Sequence, residues 1–333
     1  MNIAINGFGR IGRCILRSFL ENDYQDLNIS KINSTLDIKT SLHLFQYDSI
    51  FGKFSQKIEI LNENMCIIDG HKIEFISEKD PTKINWHNID LVMECTGIFT
   101  EKEKAEIHIK SGAKRVMISA PAKEKTVKTI VYGVNNENLT TDDVIFSIGS
   151  CTTNCLAPIA KILDEKFGII SGFMTTIHSY TGDQSILDSS HRDLRRARAA
   201  ALSMIPTSTG AAKALSLVLP NLEGKLDGVA IRVPTPNVSV VDLVVNVEKN
   251  TNIDDVNKVF IGNSMNEMIG VLGVEEKPLV SCDFIKSTYS SNVDLLETRV
   301  VKNNCIRVLS WYDNEWAFST RMLDIALLLK KII

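Results

Sequence analysis

Two side chains near the middle of the sequence have the types that nucleophilic catalysis requires. Cys151 lies in "SIGSCTTNCLAP", where strand-forming residues give way to helix-forming residues. A thiol at that point faces the positive end of a helix and its free N–H groups, which stabilise the reactive thiolate. His178, in "TTIHSYTGDQ", ends an apolar run and is the candidate base. We expect the two to form a thiolate–imidazolium pair, in which His178 later takes the proton lost by the substrate.

Ordinary structural roles are the alternative interpretation of these residues. Alone, His178 reads as an ordinary polar residue at the end of a strand, and only its combination with Cys151 and a cofactor-binding turn favours catalysis. The other histidines lack such a setting. Cys155 lies one helical turn beyond Cys151, so we expect it to be a buried and unreactive thiol.

A glycine-rich turn near the first residue predicts a nucleotide site. The stretch "INGFGRIG" places Gly7, Gly9 and Gly12 after an apolar strand and at the start of a helix. In this setting Gly7 makes the tight turn, Gly9 lets the backbone approach a pyrophosphate, and Gly12 lets helix and strand pack closely. The N-terminus of the helix then faces the anion. The alternative is a tight turn without a ligand, which the strand–turn–helix context disfavours.

Basic and hydroxyl side chains cluster in the sequence after His178. Hydroxyls, glycine N–H groups and arginines all bind anions, so these residues suit a phosphorylated substrate. They are Thr181, Arg195, Arg196, Arg198, Ser208, Thr209, Gly210 and Arg232. The plainer reading of "HRDLRRARAA" is a solvated helix face or a set of interface ion pairs. One short basic run in an acidic chain is weak support for nucleic-acid binding.

The composition is that of a globular protein without a membrane or nucleic-acid partner. The 333 residues are 44% hydrophobic and carry a net charge of −3, which suits two domains. No apolar run approaches the roughly 18 residues of a membrane helix, and the first residues do not resemble a signal peptide. The seven cysteines are scattered and lack zinc-ligand spacing. We therefore expect free thiols, no structural metal and a cytoplasmic location.

The two halves of the chain show different patterns. In the first half, short apolar strands alternate with helices, which predicts an α/β fold with a parallel sheet covered on both faces. After about residue 150, longer strands follow one another with few helices between them. This pattern predicts an α+β domain with a mostly antiparallel sheet. The closing segment, "NEWAFSTRMLDIALLLKKI", is an amphipathic helix.

Six motifs make the sequence resemble a known family. They are "INGFGRIGR", "SCTTNCLAP", "HSYTGDQ", "STGAAKAL", "RVPTPNVSVVDL" and "WYDNEWAFS". In this order, from Asn2 to the last helix, they resemble phosphorylating glyceraldehyde-3-phosphate dehydrogenases of the bacterial type. The resemblance implies a Rossmann dinucleotide-binding domain, residues 1–149 with the C-terminal helix at 314–333, and a catalytic domain, residues 150–313. It also implies a homotetramer.

The same resemblance implies a reaction. Cys151 would attack the aldehyde of glyceraldehyde 3-phosphate, and His178 would take a proton as hydride passes to the nicotinamide. Inorganic phosphate would then cleave the resulting thioester and give 1,3-bisphosphoglycerate, a step of glycolysis and gluconeogenesis. Division into two steps conserves the energy of the oxidation in the thioester.

The resemblance also assigns binding roles to individual residues. The substrate phosphate would be held by Thr181, Arg232 and one arginine of the pair Arg195 and Arg196. The attacking phosphate would be held by Ser150, Thr152, Thr209 and Gly210. Cofactor contacts would come from Gly7, Gly9, Arg10, Ile11, Gly12, Lys79, Thr96, Gly97, Ser119 and Asn314. Of these, Asn314 would bind the amide of the nicotinamide.

The stretch "SKINSTLD" departs from the family pattern and leaves the choice of cofactor open. Family members usually carry Asn-Asp at the end of the second strand, where the aspartate binds the adenosine ribose and repels a 2′-phosphate. This chain has Ser34 at the aspartate position, and Asp37 falls beyond it. Photosynthetic members that accept NADP have residues matching Thr35 and Ser190, the latter reaching a neighbouring subunit's cofactor. We expect NAD and/or NADP, with dual use favoured over strict NADP specificity and sequence drift with NAD use as the alternative.

Two other functions fit part of the sequence. Erythrose-4-phosphate dehydrogenases share the cysteine motif but typically depart from "HSYTGDQ" and "STGAAKA", which this chain keeps. A nucleotide-binding scaffold without turnover is the alternative from another class, and the intact Cys151 and His178 argue against it. Alkylation of Cys151 separates an enzyme, which should lose activity, from a scaffold, which should keep its partner binding.

Overall fold

The computed structural model describes all 333 residues, which divide into two compact units. The first unit comprises Met1–Ser150 with Ser319–Ile333, and the second comprises Cys151–Phe318. The chain leaves the first unit just before the candidate nucleophile and returns to it inside the last helix. The return lies later than the boundary drawn at residue 314 from the sequence, because Asp313 and Asn314 form hydrogen bonds with residues of the second unit.

The first unit is built on a nine-stranded sheet and a separate two-stranded hairpin. The strands are β1 Asn2–Asn6, β2 Asn28–Asn33, β3 Tyr47–Asp48, β4 Gly52–Lys53, β5 Ile58–Asn62, β6 Met65–Ile68, β7 His71–Ile76, β8 Leu91–Glu94, β9 Val116–Ile118, β10 Lys128–Thr129 and β11 Ile145–Ser147. The sheet order is β10-β11-β9-β8-β1-β2-β7-β6-β5, and β3 pairs with β4. The run β7-β2-β1-β8-β9-β11 has the strand order of doubly wound dinucleotide-binding sheets.

The predicted parallel pairing is confirmed for seven neighbouring strands of this sheet, in the order β10, β11, β9, β8, β1, β2 and β7. The remaining pairs, β7 with β6 and β6 with β5, are antiparallel. Their connections are too short for the crossover that parallel neighbours need. The β6–β7 turn, for example, consists of Asp69 at φ +47° and Gly70 at φ +84°.

Seven α-helices complete the chain. They are α1 Arg10–Glu21, α2 Ile38–Gln46, α3 Lys102–Lys110, α4 Cys151–Phe167, α5 Ala211–Leu215, α6 Ile253–Ser264 and α7 Trp316–Ile332. The part of α7 in the first unit binds that unit through an ion pair of Lys330 with Asp26 and a 3.3 Å hydrogen bond of Thr320 with Ser18. No helix combines the length and the apolar character needed to cross a bilayer.

The second unit contains a seven-stranded sheet that is mostly antiparallel, as predicted. Its strands are β12 Ile169–Ser179, β13 Ile205–Ser208, β14 Leu226–Val233, β15 Ser239–Val247, β16 Leu272–Glu275, β17 Ser291–Val301 and β18 Cys305–Tyr312. The order is β13-β14-β12-β15-β18-β17-β16, and only β14–β12 and β17–β16 are parallel pairs.

One end of this second sheet collects polar residues, two of which, His178 and Arg232, were candidates from the sequence. His178 pairs in register with Arg232 across β12 and β14, and Ser239 pairs with Tyr312 across β15 and β18. Because β15 runs antiparallel to its two neighbours, its first residue lies at the same edge as their last residues. The side chains of four adjacent strands therefore meet at one place.

Candidate active site

Cys151 and His178 meet, although 27 positions separate them in the sequence. Cys151 is the first residue of α4, and His178 lies one residue before the end of β12. The Cys151 Sγ atom is 3.5 Å from His178 Nε2. The thiol lies at the positive end of a 17-residue helix, as predicted, and its partner is 4% exposed.

The contacts of the imidazole fix which of its nitrogens faces the thiol. His178 Nδ1 lies 2.7 Å from the carbonyl oxygen of Ser179, so Nδ1–H donates to that oxygen. Nε2 then carries a lone pair, which points at the Cys151 thiol. Arg232 Nη1 lies 3.0 Å from both the Ser179 carbonyl oxygen and Nδ1, and it donates to the carbonyl oxygen, because Nδ1 carries the proton in this tautomer. This geometry is the one a general base requires.

Burial changes the charge expected for this pair. Burial raises the pKa of the Cys151 thiol, and the charge of Arg232 and hydrogen bonds with Thr152 offset part of that rise. Burial, and next the charge of Arg232, lower the pKa of His178 to about 3. Both shifts favour an uncharged thiol and imidazole over the thiolate–imidazolium pair expected from the sequence. A thiolate would then form by transfer of the thiol proton to Nε2.

A buried tyrosine that the sequence reasoning missed stands behind this pair. The Tyr312 hydroxyl lies 2.9 Å from the hydroxyls of both Thr152 and Thr176, and its ring meets the His178 ring edge-on at 6.0 Å. Thr152, expected to bind the attacking phosphate, is thus 4% exposed and hydrogen-bonded to Tyr312. The only sequence signal for Tyr312 is its place at the end of a strand in "WYDNEWAFS".

Of the two candidate arginines, the structure brings only Arg196 to the reacting pair. Its Nη1 lies 2.6 Å from Asp183 Oδ2, and its Nε donates to Thr207 Oγ1 at 2.9 Å. Its charge is close enough to help lower the pKa of His178, after burial and Arg232. Arg195 is exposed, and its guanidinium has no partner.

The other predicted phosphate ligands lie on segments that lead to this cluster. Arg232 Nη1 is 3.5 Å from Thr181 Oγ1, so these two residues already form one group. Thr209 and Gly210 directly precede α5, and the Thr209 hydroxyl accepts a hydrogen bond from the Ala211 N–H at 3.2 Å. Ser150 is half-buried immediately before α4.

The first unit contains a separate cavity of about 530 Å³ at the glycine-rich turn, a size typical of small-molecule sites. Six of the predicted cofactor residues line it: Gly7, Gly9, Ser34, Thr35, Lys79 and Thr96. Five others of the same unit do not line it: Arg10, Ile11, Gly12, Gly97 and Ser119. Ser190 and Asn314 belong to the second unit, where Ser190 is exposed.

The glycines of the turn show that the cavity fits a dinucleotide. A Cβ on Gly9 would meet nothing within 4 Å, so the backbone is open to a close-lying pyrophosphate. A Cβ on Gly12 would lie 2.2 Å from the Gly7 carbonyl oxygen, so Gly12 serves the packing of α1 on the turn. Gly7, at φ +98°, has Thr96 N at 2.8 Å from the same position. Arg10 is turned away to Asp48, with its Nη1 2.5 Å from the carboxylate.

Comparison with known proteins shows the relationship. Residues 1–102 match the model of the glyceraldehyde 3-phosphate dehydrogenase NAD-binding domain, and residues 150–314 match that of the C-terminal domain. A glyceraldehyde-3-phosphate dehydrogenase of Cereibacter sphaeroides is 50% identical over 100% of this chain and 99% of its own. Chloroplastic glyceraldehyde-3-phosphate dehydrogenase A of Zea mays is 53% identical over 98% of this chain and 81% of its own. Glyceraldehyde-3-phosphate dehydrogenase 1 of Bacillus cereus is 50% identical over 97% of each.

The chain belongs to the glyceraldehyde-3-phosphate dehydrogenase family. It is an NAD-dependent oxidoreductase with the two domains of that family. The relatives carry this name over their full length, so the erythrose-4-phosphate alternative is not favoured. The resemblance drawn from the six motifs is confirmed.

Ser34, Thr35 and Leu36 line the cavity at the end of β2. The Ser34 hydroxyl is 5% exposed, accepts the Leu36 N–H at 3.2 Å and lies 3.1 Å from Ser41 Oγ. The Ser34 hydroxyl therefore stabilises the loop between β2 and α2. Asp37 caps α2 through the Thr40 N–H at 2.9 Å, and this bond lowers its pKa. The exposed polar residues of the cavity at this end are Thr35 and Lys79.

A buried polar chain beneath the cavity also went unnoticed in the sequence. Glu94 is 1% exposed, and its Oε2 accepts from Asn6 Nδ2 at 2.5 Å and from His108 Nε2 at 3.0 Å. Its Oε1 accepts the Thr96 N–H at 2.7 Å. Trp86 Nε1 donates to His108 Nδ1 at 3.1 Å, which assigns the proton to Nε2 of that ring. The chain holds Thr96 at the cavity wall, and apart from the Glu94–Thr96 bond its links join residues at least 14 positions apart in the sequence.

Proposed function

We propose that this family member oxidises glyceraldehyde 3-phosphate in the presence of inorganic phosphate through a thioester on Cys151. The observation that carries the proposal is the 3.5 Å contact between Cys151 Sγ and the lone pair of His178 Nε2. Sγ attacks the aldehyde carbon, and the thiol proton passes by way of Nε2 to the aldehyde oxygen. His178 then removes that hydroxyl proton as the carbon loses its hydride. Bound NAD supplies the hydride acceptor in this chemistry.

The cations around His178 support a phosphorylated substrate. Arg232 and Arg196 both act on His178 through their charge, and Thr181 and Thr207 lie at hydrogen-bond distance from one or the other. A phosphate bound to these arginines neutralises a charge that lowers the pKa of His178. Binding of the substrate would therefore make the base stronger at the moment it is needed. A second anion would meet Ser150, Thr209 and Gly210, and its attack on the thioester would give 1,3-bisphosphoglycerate.

The assay for this proposal follows NADH formation from glyceraldehyde 3-phosphate with and without inorganic phosphate. We expect turnover only with phosphate, and no turnover for Cys151→Ser. Equal turnover without phosphate would contradict the thioester phosphorolysis. Erythrose 4-phosphate in the same assay tests the second dehydrogenase activity. Iodoacetamide treatment separates an enzyme from a scaffold, since only a catalytic role depends on a free Cys151 thiol.

We infer, for the cofactor, that NADP is used at least comparably to NAD. Ser34 brings no carboxylate to repel a 2′-phosphate, and the charge of Asp37 is held at the α2 cap. Lys79 lines the same cavity as Thr35 and has no carboxylate partner, so both are open to an anion. Glu78 also lines this cavity and opposes an added phosphate, which favours dual use over strict NADP specificity. Ser190 would contribute only from a neighbouring subunit.

Initial rates with each cofactor test this inference. An NAD preference of about a hundredfold or more would refute it, a difference of about 2.7 kcal/mol between transition states. Ser34→Asp should lower the rate with NADP selectively, because it restores a negative charge beside the 2′-phosphate. Ser34→Ala is the matched control, since it removes the same hydroxyl and adds no charge. Equal losses for both variants with both cofactors would place the 2′-phosphate elsewhere.

We further propose a homotetramer located in the cytoplasm. The segment between β12 and β13 exposes several large apolar side chains, among them Ile186, Leu194 and Leu202 at 81–85%. The second sheet also exposes Phe173 and Val244 from neighbouring strands. Apolar surface of this extent is typical of a protein interface. Light scattering should give four times the 37.1 kDa chain mass, and a monomer at micromolar concentration would contradict the proposal.

A further inference from the structure

Three strand ends in the second unit bring one amide and two serines into direct contact. Ser179 ends β12, Ser239 begins β15, and Asn314 follows β18. The Ser179 and Ser239 hydroxyls lie 2.9 Å and 3.0 Å from the same atom, Asn314 Oδ1. All three residues are buried, with the serines at 0% and 1% exposure and Asn314 at 6%.

The donors and acceptors around Asn314 determine the orientation of its side-chain amide. Ser239 Oγ already accepts the Ser179 N–H at 3.1 Å, and the two hydroxyls are 3.4 Å apart. Each buried hydroxyl proton needs an acceptor. If Asn314 turned its Nδ2 toward the serines, one hydroxyl could donate to the other across 3.4 Å, and the second proton would have no acceptor. With Oδ1 toward them, both protons are satisfied. The Nδ2 group of Asn314 then has no acceptor within the protein and is presented as a donor.

The backbone around this amide is also held in place. The carboxylate of Asp313 accepts the N–H groups of Glu315 and Trp316 at the start of α7 and the side-chain amide of Asn237 at 2.9 Å. Val238, between Asn237 and Ser239, has φ +65°. This left-handed conformation is unfavourable for a β-branched residue, and such strain persists only where neighbours enforce it. Here the neighbouring residues on both sides are anchored to the Asp313–Asn314 pair.

We propose that Ser179 and Ser239 are positioning residues that hold Asn314 as a hydrogen-bond donor toward the carboxamide oxygen of the nicotinamide. The inference rests on the proposed role of Asn314 as a cofactor contact and adds the direction of that contact and the residues that set it. An amide free to rotate would offer its oxygen and its nitrogen in turn. The two serines remove that choice before the cofactor binds, which lowers the cost of ordering the site.

Equilibrium binding of three probes tests the direction of the contact without turnover. The probes are NAD, its 3-acetylpyridine analogue and ADP-ribose. The analogue keeps the carbonyl oxygen but lacks the amide N–H groups, and ADP-ribose lacks the ring. For the double variant Ser179→Ala with Ser239→Ala, we expect the Kd of NAD and of the analogue to rise about tenfold, roughly the worth of one hydrogen bond. The Kd of ADP-ribose should change less than about twofold.

Three further variants serve as controls for this result. Ser291→Ala removes another fully buried serine hydroxyl of the same unit, one that contacts Ser310 at 2.7 Å, and it should leave all three Kd values unchanged. The single variants Ser179→Ala and Ser239→Ala should each give a smaller rise confined to NAD and the analogue. They serve if the double variant does not fold, as judged by thermal unfolding.

Asn314→Ala and the serine variants test the cofactor role of Asn314 and its positioning by the serines separately. If Asn314→Ala affects ADP-ribose as much as NAD, or affects neither, the cofactor role of Asn314 is wrong. If Asn314→Ala weakens NAD and the analogue selectively but the serine variants do not, the positioning inference alone is overturned. If Asn314→Ala weakens NAD and spares the analogue, Asn314 acts as an acceptor, and the inferred direction is wrong.

Discussion

Replacing Arg196 by alanine tests the anion site at the point where the sequence left two adjacent candidates. Arg195 and Arg196 are equivalent in the sequence, but only Arg196 adds its charge to that of Arg232 on His178. Arg196→Ala removes a guanidinium that would form charge-assisted bonds with the substrate phosphate. Such bonds are worth about 1.5–3 kcal/mol, so kcat/KM should fall about 10- to 100-fold.

Part of the loss could come from the loop itself, because Arg196 also binds Asp183 and Thr207. Two variants separate these effects. Asp183→Asn weakens the same loop contact while leaving the guanidinium in place, and it should cost less than about fivefold, the range of a partly exposed ion pair. Arg196→Lys keeps the charge but loses the planar fork, so it should recover only part of the activity.

Initial rates are measured with glyceraldehyde 3-phosphate and inorganic phosphate varied separately. We expect the loss for Arg196→Ala in the KM of glyceraldehyde 3-phosphate, and a change of less than about twofold for Arg195→Ala, whose side chain is exposed. An equal or larger effect of Arg195→Ala would refute the reasoning, because it would mean that the guanidinium next to His178 is not the one that meets the substrate.

Three other predictions concern the framework around the two sites. Gly12→Ala should unfold at a lower temperature than the native chain, whereas Gly9→Ala should keep its Tm and weaken only NAD binding, because a Cβ meets the Gly7 carbonyl oxygen in the first case and open space in the second. His108→Phe should lower the free energy of unfolding in urea by about 2–4 kcal/mol, since it leaves buried donors and acceptors unpaired; a loss below about 0.5 kcal/mol would contradict the assigned network. Because the pKa of His178 is lowered on folding, the unfolded chain binds the extra proton, and stability should fall as the pH drops from about 6.5 toward 3. At pH 5 this effect lowers the free energy of unfolding by an amount on the order of 2 kcal/mol, and His178→Asn should abolish it. Parallel pH profiles of stability for the two proteins would disprove the buried neutral imidazole.

Residues whose role is local could be predicted from the sequence with their chemistry. The glycine turn follows from strand, turn and helix signals within one short segment, and the structure places Gly7 and Gly9 at a cavity. Cys151 follows from the strand-to-helix transition, since the first residue of a helix faces its free N–H groups whatever the rest of the fold does. The alternation of strands and helices likewise predicted the sheet of the first unit, except at its β5–β6–β7 end.

Residues whose role depends on distant partners could not be predicted. The choice of Arg196 over Arg195, the Tyr312 hydroxyl beside Thr152 and the buried bond of His108 to Glu94 all join side chains on different elements. Ser34 shows the same limit in one residue. The sequence showed that Ser34 stands where family members usually carry an aspartate. Only the folded loop showed that its hydroxyl contacts Leu36 and Ser41.

The sequence by itself therefore determined the family and the two domains and indicated the candidate nucleophile with its candidate base, because these follow from short contiguous motifs. The tertiary structure alone decided the directions of the hydrogen bonds. His178 presents Nε2 because the Ser179 carbonyl takes Nδ1–H, and Asn314 presents Nδ2 because two serines from other strands take Oδ1. The physical reason is that a buried polar atom must find a partner, and which partner it finds depends on which strand ends the sheet brings together.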